Sequence, residues 1–429
     1  MLNRLLPLWH FSNALAANIF YGFPARKLTC IGITGTNGKT TSANLATNIL
    51  ITNGDKVGML TTANFRIADK LWDNDLNMTT TNPWMIQKLL KQMVEAKCKY
   101  AVVEVTSHAL SQHRVYGIPF QVVAITNVTQ DHLDYHGTME RYIAAKKKLF
   151  EGIERRQHKG GHVTVFNLDD SVTAEFSSYG AGRKISFGIK KTAAVMAKEI
   201  QLLPDATNYK LELEKQMLPI SSHLVGEFNV YNMLTASAIA FGLDVSSDVI
   251  KAGLESTGYV PGRMEMVDAG QDFSVIVDYA HTPDALKNIY QTIRNSHTKK
   301  LIAVLGATGD RDKSKRPLLG RIAGEMADLV IVTNEEPYNE DPKTIIEAVA
   351  SGVAQTNKTE GKNFFIVEDR GEAIAQAVRM ASGGDTVVVS GMGHQKFMKV
   401  KDGKIAWDDR EVAREALKRI KNYESGIKN

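Results

Sequence analysis

The sequence predicts an α/β protein built from two open, mostly parallel sheets in tandem, preceded by a short apolar extension. Three observations predict it. Short apolar, β-rich runs alternate with helical patterns along most of the 429 residues, as parallel strands covered by helices do. A glycine-bearing segment, TGTNGKTT, joins the first such run to a helical one. After Val260-Pro261-Gly262 the alternation begins again. The length suits two or three domains, and 43% hydrophobic with 23% charged residues is the mix of an ordinary globular chain.

Residues 1–27 are apolar but interrupted by His10, Asn13 and Asn18, short of the ~20 apolar residues a spanning helix needs. They read as an amphipathic helix packed on the first domain, with a weak membrane-surface contact left open; no other segment is a transmembrane candidate. Buried strands follow at 28–35, 99–107, 121–128 and 162–170, with an amphipathic helix at 83–96. Residues 184–226 show short alternating runs and read as an antiparallel ribbon; a helix at 229–243 closes this domain. In the second domain, strands are expected at 273–281, 301–310, 328–337, 363–369 and 385–394. The resulting organisation is an extension (1–27), a central domain (28–260) and a C-terminal domain (261–429), with a hinge at 258–262.

A net charge of +5, spread along the chain, argues against a nucleic-acid partner, which asks for a concentrated basic stripe. The two cysteines, Cys30 and Cys98, have no metal-type spacing and make no disulfide framework, which suits a reducing cytoplasm. Cys30 lies in an apolar run and reads as a buried thiol. A monomer is expected.

TGTNGKTT (34–41) follows a strand and opens a helix, the geometry in which loop amides and a helix N-terminus point at phosphate oxygens. Gly35 and Gly38 allow close backbone approach, Lys39 neutralises the outer phosphates, and the Thr40 hydroxyl reaches Mg²⁺. Thr36, Asn37 and Thr41 complete the loop. It is a variant, because the first glycine of Gly-x-x-x-x-Gly-Lys-Ser/Thr falls on Ile33. Alone it means nucleotide handling, with kinase, GTPase switch and motor ATPase all open.

Further blocks narrow that choice. EVTSHALSQHRV (104–115), TNVTQDHLDYHGTMERYIAAK (126–146), GEFNVYN (226–232), PGRMEMV (261–267), DYAHTPDAL (278–286) and GATGDRDKSKRP (306–317) run in one order from about residue 28 to 396. Together they resemble the Mur ligase family, and within it the MurE type that adds the third residue of a UDP-N-acetylmuramoyl peptide. The resemblance implies a P-loop-type central ATPase domain and a Rossmann-like C-terminal domain that closes on it. It also implies an ATP-dependent amide ligase of cell-wall precursor synthesis. ATP phosphorylates a carboxylate of a nucleotide-sugar peptide, and a free amino acid's amine displaces the phosphate. By position, Lys39, Glu104, His132, Lys146 and His281 are the implied catalytic residues. Thr40, Glu104, His132 and a CO₂-derived carbamate on Lys146 would hold Mg²⁺. Asn229, Asn232, Arg263 and Asp278 would meet ATP. Thr79, Thr80, Thr106, Gln112 and Arg114 would hold the donor. Arg311, Glu335, Glu336, Tyr338, Gly391 and Gln395 would meet the amino acid.

The chain departs from that pattern in three places. Only about 27 residues precede the first strand, too few for the family's uridine-diphosphate domain, so a non-UDP carrier of the polyglutamate kind stays open. Glu335-Glu336-Pro337-Tyr338 replaces the Asp-Asn-Pro-Arg selector for diaminopimelate; losing the arginine fork and gaining two carboxylates predicts a cationic tail, lysine-like or another diamino acid. Gly391-Met392-Gly393-His394-Gln395 carries glutamine where the family has glutamate. A nucleotide-binding partner without turnover is the remaining alternative.

Overall fold

The computed structural model describes residues 2–76, 78–154, 161–180, 182–203, 205–296 and 298–426. The chain divides into two compact units, residues 1–201 with 205–258, and residues 259–429 with 202–204.

The first unit runs α1 (Leu2–Tyr21), β1 (Thr29–Thr34), α2 (Lys39–Thr52), β2 (Val57–Leu60), β3 (Asn64–Ile67), β4 (Lys70–Asp73), α3 (Pro83–Glu95), β5 (Tyr100–Glu104) and α4 (Ser107–Ser111). It continues through β6 (Phe120–Ile125), α5 (Leu133–His136), α6 (Met139–Glu154), β7 (Val163–Asn167), α7 (Ser171–Ala174), β8 (Arg183–Gly188) and β9 (Val195–Leu202). β10 (Thr207–Leu213), β11 (Gln216–Ser222), α8 (Glu227–Gly242) and α9 (Ser247–Glu255) complete it. One sheet holds the strands in the order β11-β10-β9-β8-β7-β6-β1-β5-β2-β3-β4. From β2 through β5, β1, β6, β7 and β8 to the start of β9 the pairing is parallel.

β1 reads as a continuous apolar run because both its faces are covered. Ile31 and Ile33 join one core with Leu45, Ile49 and Met233, while Cys30 joins the other with Ile86, Leu90 and Phe150. Each fully buried isoleucine contributes about 1.5–3 kcal/mol. α3 starts where Asn82 accepts the Met85 amide at 3.0 Å and Pro83 takes the first turn, which needs no amide donor. α1 packs on this unit through Ala14, Ala17 and Asn18, which are buried, while its bulky apolar residues Leu8, Trp9, Ile19 and Phe20 are exposed. No helix among the described residues is long and apolar enough to cross a membrane.

Two expectations need correction. β10 and β11 pair antiparallel as expected, but β8, at the start of the ribbon, pairs parallel with β7, and β9 begins parallel to β8. Alternation reports a half-exposed strand and is blind to its direction. The β2–β3–β4 meander was not anticipated; β4 is largely exposed at the sheet edge and lacks an apolar run.

The second unit comprises β12 (Glu265–Met266), β13 (Ser274–Asp278), α10 (Pro283–Asn295), β14 (Leu301–Leu305), α11 (Lys315–Met326), β15 (Leu329–Val332) and α12 (Pro342–Val353). β16 (Phe364–Ile366), α13 (Arg370–Met380), β17 (Thr386–Ser390), β18 (Phe397–Val400), β19 (Gly403–Ala406) and α14 (Asp409–Gly426) follow. Its main sheet has the order β12-β13-β17-β14-β15-β16, parallel except for β12. A buried bidentate pair, Arg370 Nε and Nη2 to Asp409 at 2.8 and 2.7 Å, ties α13 to the start of α14. In each unit the loops at the carboxyl ends of the parallel strands lie at one edge, where open α/β sheets bind ligands.

Candidate active site

In the first unit, β1 lies between β5 and β6, and the chain leaves it toward one side and later the other. The loop following β1 therefore sits at the switch point of the sheet. Its glycines are required. Gly35 has φ +146°, and a Cβ there would stand 1.9 Å from Thr126 Oγ1. Gly38 has φ +82°, and its Cβ would meet Asn232 Oδ1 at 2.1 Å. The cradle is closed from outside by Asn127, whose Oδ1 accepts the Asn37 amide at 2.9 Å, and by Thr126, whose hydroxyl donates to Asn37 O at 2.6 Å. Asn232 is steadied by Asn229, its Nδ2 donating to Asn229 Oδ1 at 2.9 Å, so both asparagines stand behind the loop on α8. Thr41 is buried in the first turn of α2.

Lys39 donates to Thr36 O at 2.7 Å, folding back along the loop. Thr40 donates to Glu104 Oε2 at 2.9 Å, and the same oxygen accepts the Thr62 amide at 2.8 Å. Thr62 Oγ1 reaches Glu104 Oε1 at 3.0 Å and Thr79 Oγ1 at 2.8 Å. Glu104 thus ends β5 buried, with its carboxylate turned toward the phosphate loop. Lys146, 1% exposed on α6, donates to Gly35 O at 2.7 Å and lies 4.4 Å over the Tyr142 ring. Burial first, and then the Lys39 charge, hold its ammonium well below the usual lysine range, while Asp131 opposes them. Tyr142 reaches Thr36 Oγ1 at 3.0 Å.

His132 adopts φ +56° and places Nε2 3.3 Å from Asp131 Oδ2, with its ring 6.2 Å from that of Tyr142. His136, the competing histidine, is buried against Ser107 Oγ at 3.0 Å. Lys39, Glu104 and Lys146 are therefore gathered around one loop, and His132 approaches it through Tyr142. Asp131, Thr62 and Tyr142 belong to the same cluster and were not singled out from the sequence. Asp131 directly precedes His132, the only local signal it offered.

The donor-side residues adjoin this cluster. Thr80 Oγ1 donates to Glu104 O at 2.9 Å and accepts the Thr106 amide at 3.1 Å, and Thr106 caps α4. Arg114 Nη1 donates to Thr80 O at 2.8 Å and Nε to Gln112 Oε1 at 2.9 Å.

In the second unit, Asp278 ends β13 and accepts the Met264 and Ala280 amides at 2.7 and 2.6 Å. Burial pushes its carboxyl upward, against the pull of Arg263. Arg263 lies 4.8 Å over Tyr279, and His281 Nδ1 is 2.8 Å from Tyr279 O. Gly391 follows β17 at φ +111°, and a Cβ there would stand 2.1 Å from Glu335 Oε2.

The acidic pair is not presented as the sequence led us to expect. Glu335 accepts from Thr308 Oγ1 at 2.6 Å inside the unit, and Glu336 accepts from Gln395 Nε2 at 3.3 Å and the Lys399 amide at 3.2 Å. Both carboxylates are almost wholly buried, and burial raises the pKa of each. The groups around Tyr338 are cations instead: Arg311 lies 5.2 Å over its ring, and Lys399 Nζ is 3.1 Å from its hydroxyl. Lys399 had not been singled out, being 61 residues away in sequence.

Oxygen ligands and a glycine cradle that a Cβ would fill fit a nucleotide with Mg²⁺. Thr40 and Glu104 supply hard oxygens, and a magnesium ion keeps several waters, so three protein carboxylates are not needed.

Comparison with known proteins agrees with this geometry. Residues 33–240 match the Mur ligase middle domain, and residues 262–393 match the Mur ligase, glutamate ligase domain. The chain is 40% identical over 406 residues to a UDP-N-acetylmuramoyl-L-alanyl-D-glutamate–2,6-diaminopimelate ligase of Geobacillus thermodenitrificans, covering 94% of this chain and 82% of that one. It is 40% identical to the ligase of the same name from Bacillus licheniformis, covering 96% and 83%. A solved structure of a ligase of that name superposes with a TM-score of 0.63 at 29% identity, covering 91% of this chain and 78% of the other.

Proposed function

The chain belongs to the Mur ligase family and is an ATP-dependent ligase that forms an amide bond; from that premise we propose its donor, its acceptor and the duties of its side chains. The donor is UDP-N-acetylmuramoyl-L-alanyl-D-glutamate and the acceptor 2,6-diaminopimelate, in peptidoglycan precursor synthesis. A donor carboxylate oxygen attacks the γ-phosphorus of ATP, ADP leaves, and an acyl phosphate forms. The amine nitrogen then attacks the acyl carbon, phosphate leaves, and a proton is lost from nitrogen.

One observation carries the reading: Lys39, Thr40, Glu104 and Lys146 are hydrogen-bonded into a single web around the loop after β1. Phosphoryl transfer asks the protein for positioning and charge, with little covalent chemistry of its own. Loop amides and the α2 N-terminus receive the phosphates, and Lys39 exchanges its bond to Thr36 O for a phosphate oxygen. Thr40, Glu104 and His132 are the proposed metal ligands; magnesium there supplies neutralising charge to the phosphate oxygens. Lys146 is the proposed carbamate. Its burial favours the neutral amine, the form that adds CO₂: nitrogen bonds to carbon, an N–H proton passes to solvent, and an anion replaces a cation. Thr79, Thr80, Thr106, Gln112 and Arg114 orient the donor. Asn229 and Asn232 hold the nucleotide loop, and Arg263, Asp278 and His281 are the second unit's proposed contribution.

The acceptor assignment draws on charge as well as kinship. Diaminopimelate carries a carboxylate at each end, and Arg311 and Lys399 flank Tyr338 where the sequence lacks the selector arginine. Gly391 and Gln395 border the same loop cluster.

The test is phosphate release from ATP with each substrate present singly and together, read alongside product mass. Release requiring both, with one diaminopimelate added, is expected. Equal turnover of a UDP-free peptide would move the donor to another carrier, and preference for L-lysine would overturn the acceptor.

A further inference from the structure

α1 is built inside out. Its packed face carries small residues: Ala14 and Ala17 are fully buried, and Asn18 donates from Nδ2 to Ala14 O and Tyr116 O, both at 2.8 Å. Gly117 admits it, since a Cβ there would stand 2.1 Å from Asn18 Oδ1. Small residues let the helix sit close to the unit, and Trp84 Nε1 fastens it by donating to Asn13 Oδ1 at 2.8 Å. The bulky apolar side chains point the other way. Leu8 is 63% exposed, Trp9 60%, Ile19 63% and Phe20 71%. With Ser12 and Ala16 they fill an arc of about 120° at helical spacing, and it contains no charged residue. Such a stripe is expected against a core, and a contiguous exposed apolar patch marks an interaction surface.

The charge around the stripe selects the occupant. No acidic residue occurs before Asp55, whereas Arg26 and Lys27 follow the helix, exposed. α3, which packs beside α1, exposes Lys88 and Lys91 one and two turns beyond Trp84, with Glu95 a turn further away; the Trp84 ring lies 5.6 Å from that of Phe20. Aromatic side chains at the edge of an apolar stripe, rimmed by lysine and arginine, match the headgroup region of an anionic bilayer.

We propose that the outer face of α1 docks on the surface of an anionic phospholipid membrane, lying in the interface without crossing it. Trp9, Ile19 and Phe20 enter the acyl boundary while Arg26, Lys27, Lys88 and Lys91 meet phosphates. The inference is independent of the ligase reading.

The experiment is co-sedimentation of the full chain with vesicles of phosphatidylglycerol or of phosphatidylcholine, with Trp fluorescence recorded. Binding to phosphatidylglycerol at least tenfold tighter than to phosphatidylcholine is expected, weakening with salt, with a blue-shifted emission. Trp9→Glu with Ile19→Glu should lower that binding at least tenfold and leave ATP-dependent phosphate release in solution unchanged. Lys88→Glu with Lys91→Glu should weaken it without altering the apolar face. No binding, equal binding to both lipids, or retained binding by the Trp9/Ile19 variant overturns the proposal. So does a concentration-dependent dimer that the same variant dissolves, which would give the face to a second copy.

Discussion

Replacing Glu104 by glutamine separates the charge of that side chain from its hydrogen bonds. Glu104 Oε2 accepts from both Thr40 Oγ1 and the Thr62 amide, while Oε1 faces only the Thr62 hydroxyl. A glutamine carbonyl at the Oε2 position keeps both donors. Its amide nitrogen then donates to Thr62 Oγ1, which turns its own hydrogen to Thr79 Oγ1, 2.8 Å away. Only the second amide hydrogen gains no acceptor, so stability should fall by about 1–3 kcal/mol. Alanine instead removes the carboxylate acceptor from both the Thr40 hydroxyl and the Thr62 amide, at about 1–3 kcal/mol each. Catalysis should respond in another proportion. Loss of one preorganised charge at a phosphoryl-transfer centre is worth about 3 kcal/mol, roughly a hundredfold in kcat. The Mg²⁺ concentration for half-maximal activity should also rise. The assay is ADP release at saturating ATP and donor with Mg²⁺ titrated, beside urea unfolding of both variants. An E104Q enzyme with wild-type kcat and an unmoved Mg²⁺ midpoint would refute the assignment of Glu104 to the metal.

Lys146→Ala should abolish ADP release, and a short-chain carboxylic acid added to the assay should restore part of it by returning an anion to the vacated space; full activity without rescue would exclude the carbamate. Gly38→Ala should raise the Kd for ATP more than tenfold, because the residue has φ +82° and its Cβ would meet Asn232 Oδ1; calorimetric titration of ATP checks it. Lys399→Ala should raise KM for diaminopimelate by about tenfold while changing KM for L-lysine little, as expected when one carboxylate loses a cation (about 1.4 kcal/mol). Glu340 accepts both terminal nitrogens of Arg316, at 2.8 and 3.0 Å, and this holds its pKa at about 2. A depressed carboxylate stabilises above its unfolded pKa and loses that contribution as pH falls through the folded value. Glu340→Gln should therefore cost about 1 kcal/mol at pH 7, after allowance for solvent screening, and only a small fraction of that at pH 2; equal loss at both, in denaturant titrations, would contradict the pair.

Legibility along the chain followed physics that is local. β1, β5, β6 and β7 announce themselves because a strand covered on both faces has no polar side to hide the run. β4, with exposed lysine and leucine, has no such run, and the direction of β8 lies in its partner. The site was readable where residues sit on motifs, as with Lys39 and Lys146. It was unreadable where a partner comes from far along the chain, as Thr62 does for Glu104 and Lys399 for Tyr338. The selector shows the limit most clearly. Two glutamates in a loop read as an open acidic surface, yet Thr308, Gln395 and the Arg370 charge draw both inward, and only packing decides that direction.

The surroundings of Lys146 bear on the carbamate proposed there. Two ammonium groups beside one loop disfavour each other, and a buried one has lost its water. Here Lys39 donates to Thr36 O and Lys146 to Gly35 O, and the Asp131 charge offsets part of the penalty at Lys146. A phosphate chain at Lys39 would remove the repulsion, and the proposed carbamate at Lys146 would turn it into attraction, so either event would lower the cost of the other. Strain of this kind persists in a fold only where the surroundings over-determine it, as the rigid cradle of Gly35, Gly38, Thr126 and Asn232 does here. If Lys146 carries the proposed carbamate, nucleotide and modified lysine would bind as a coupled pair.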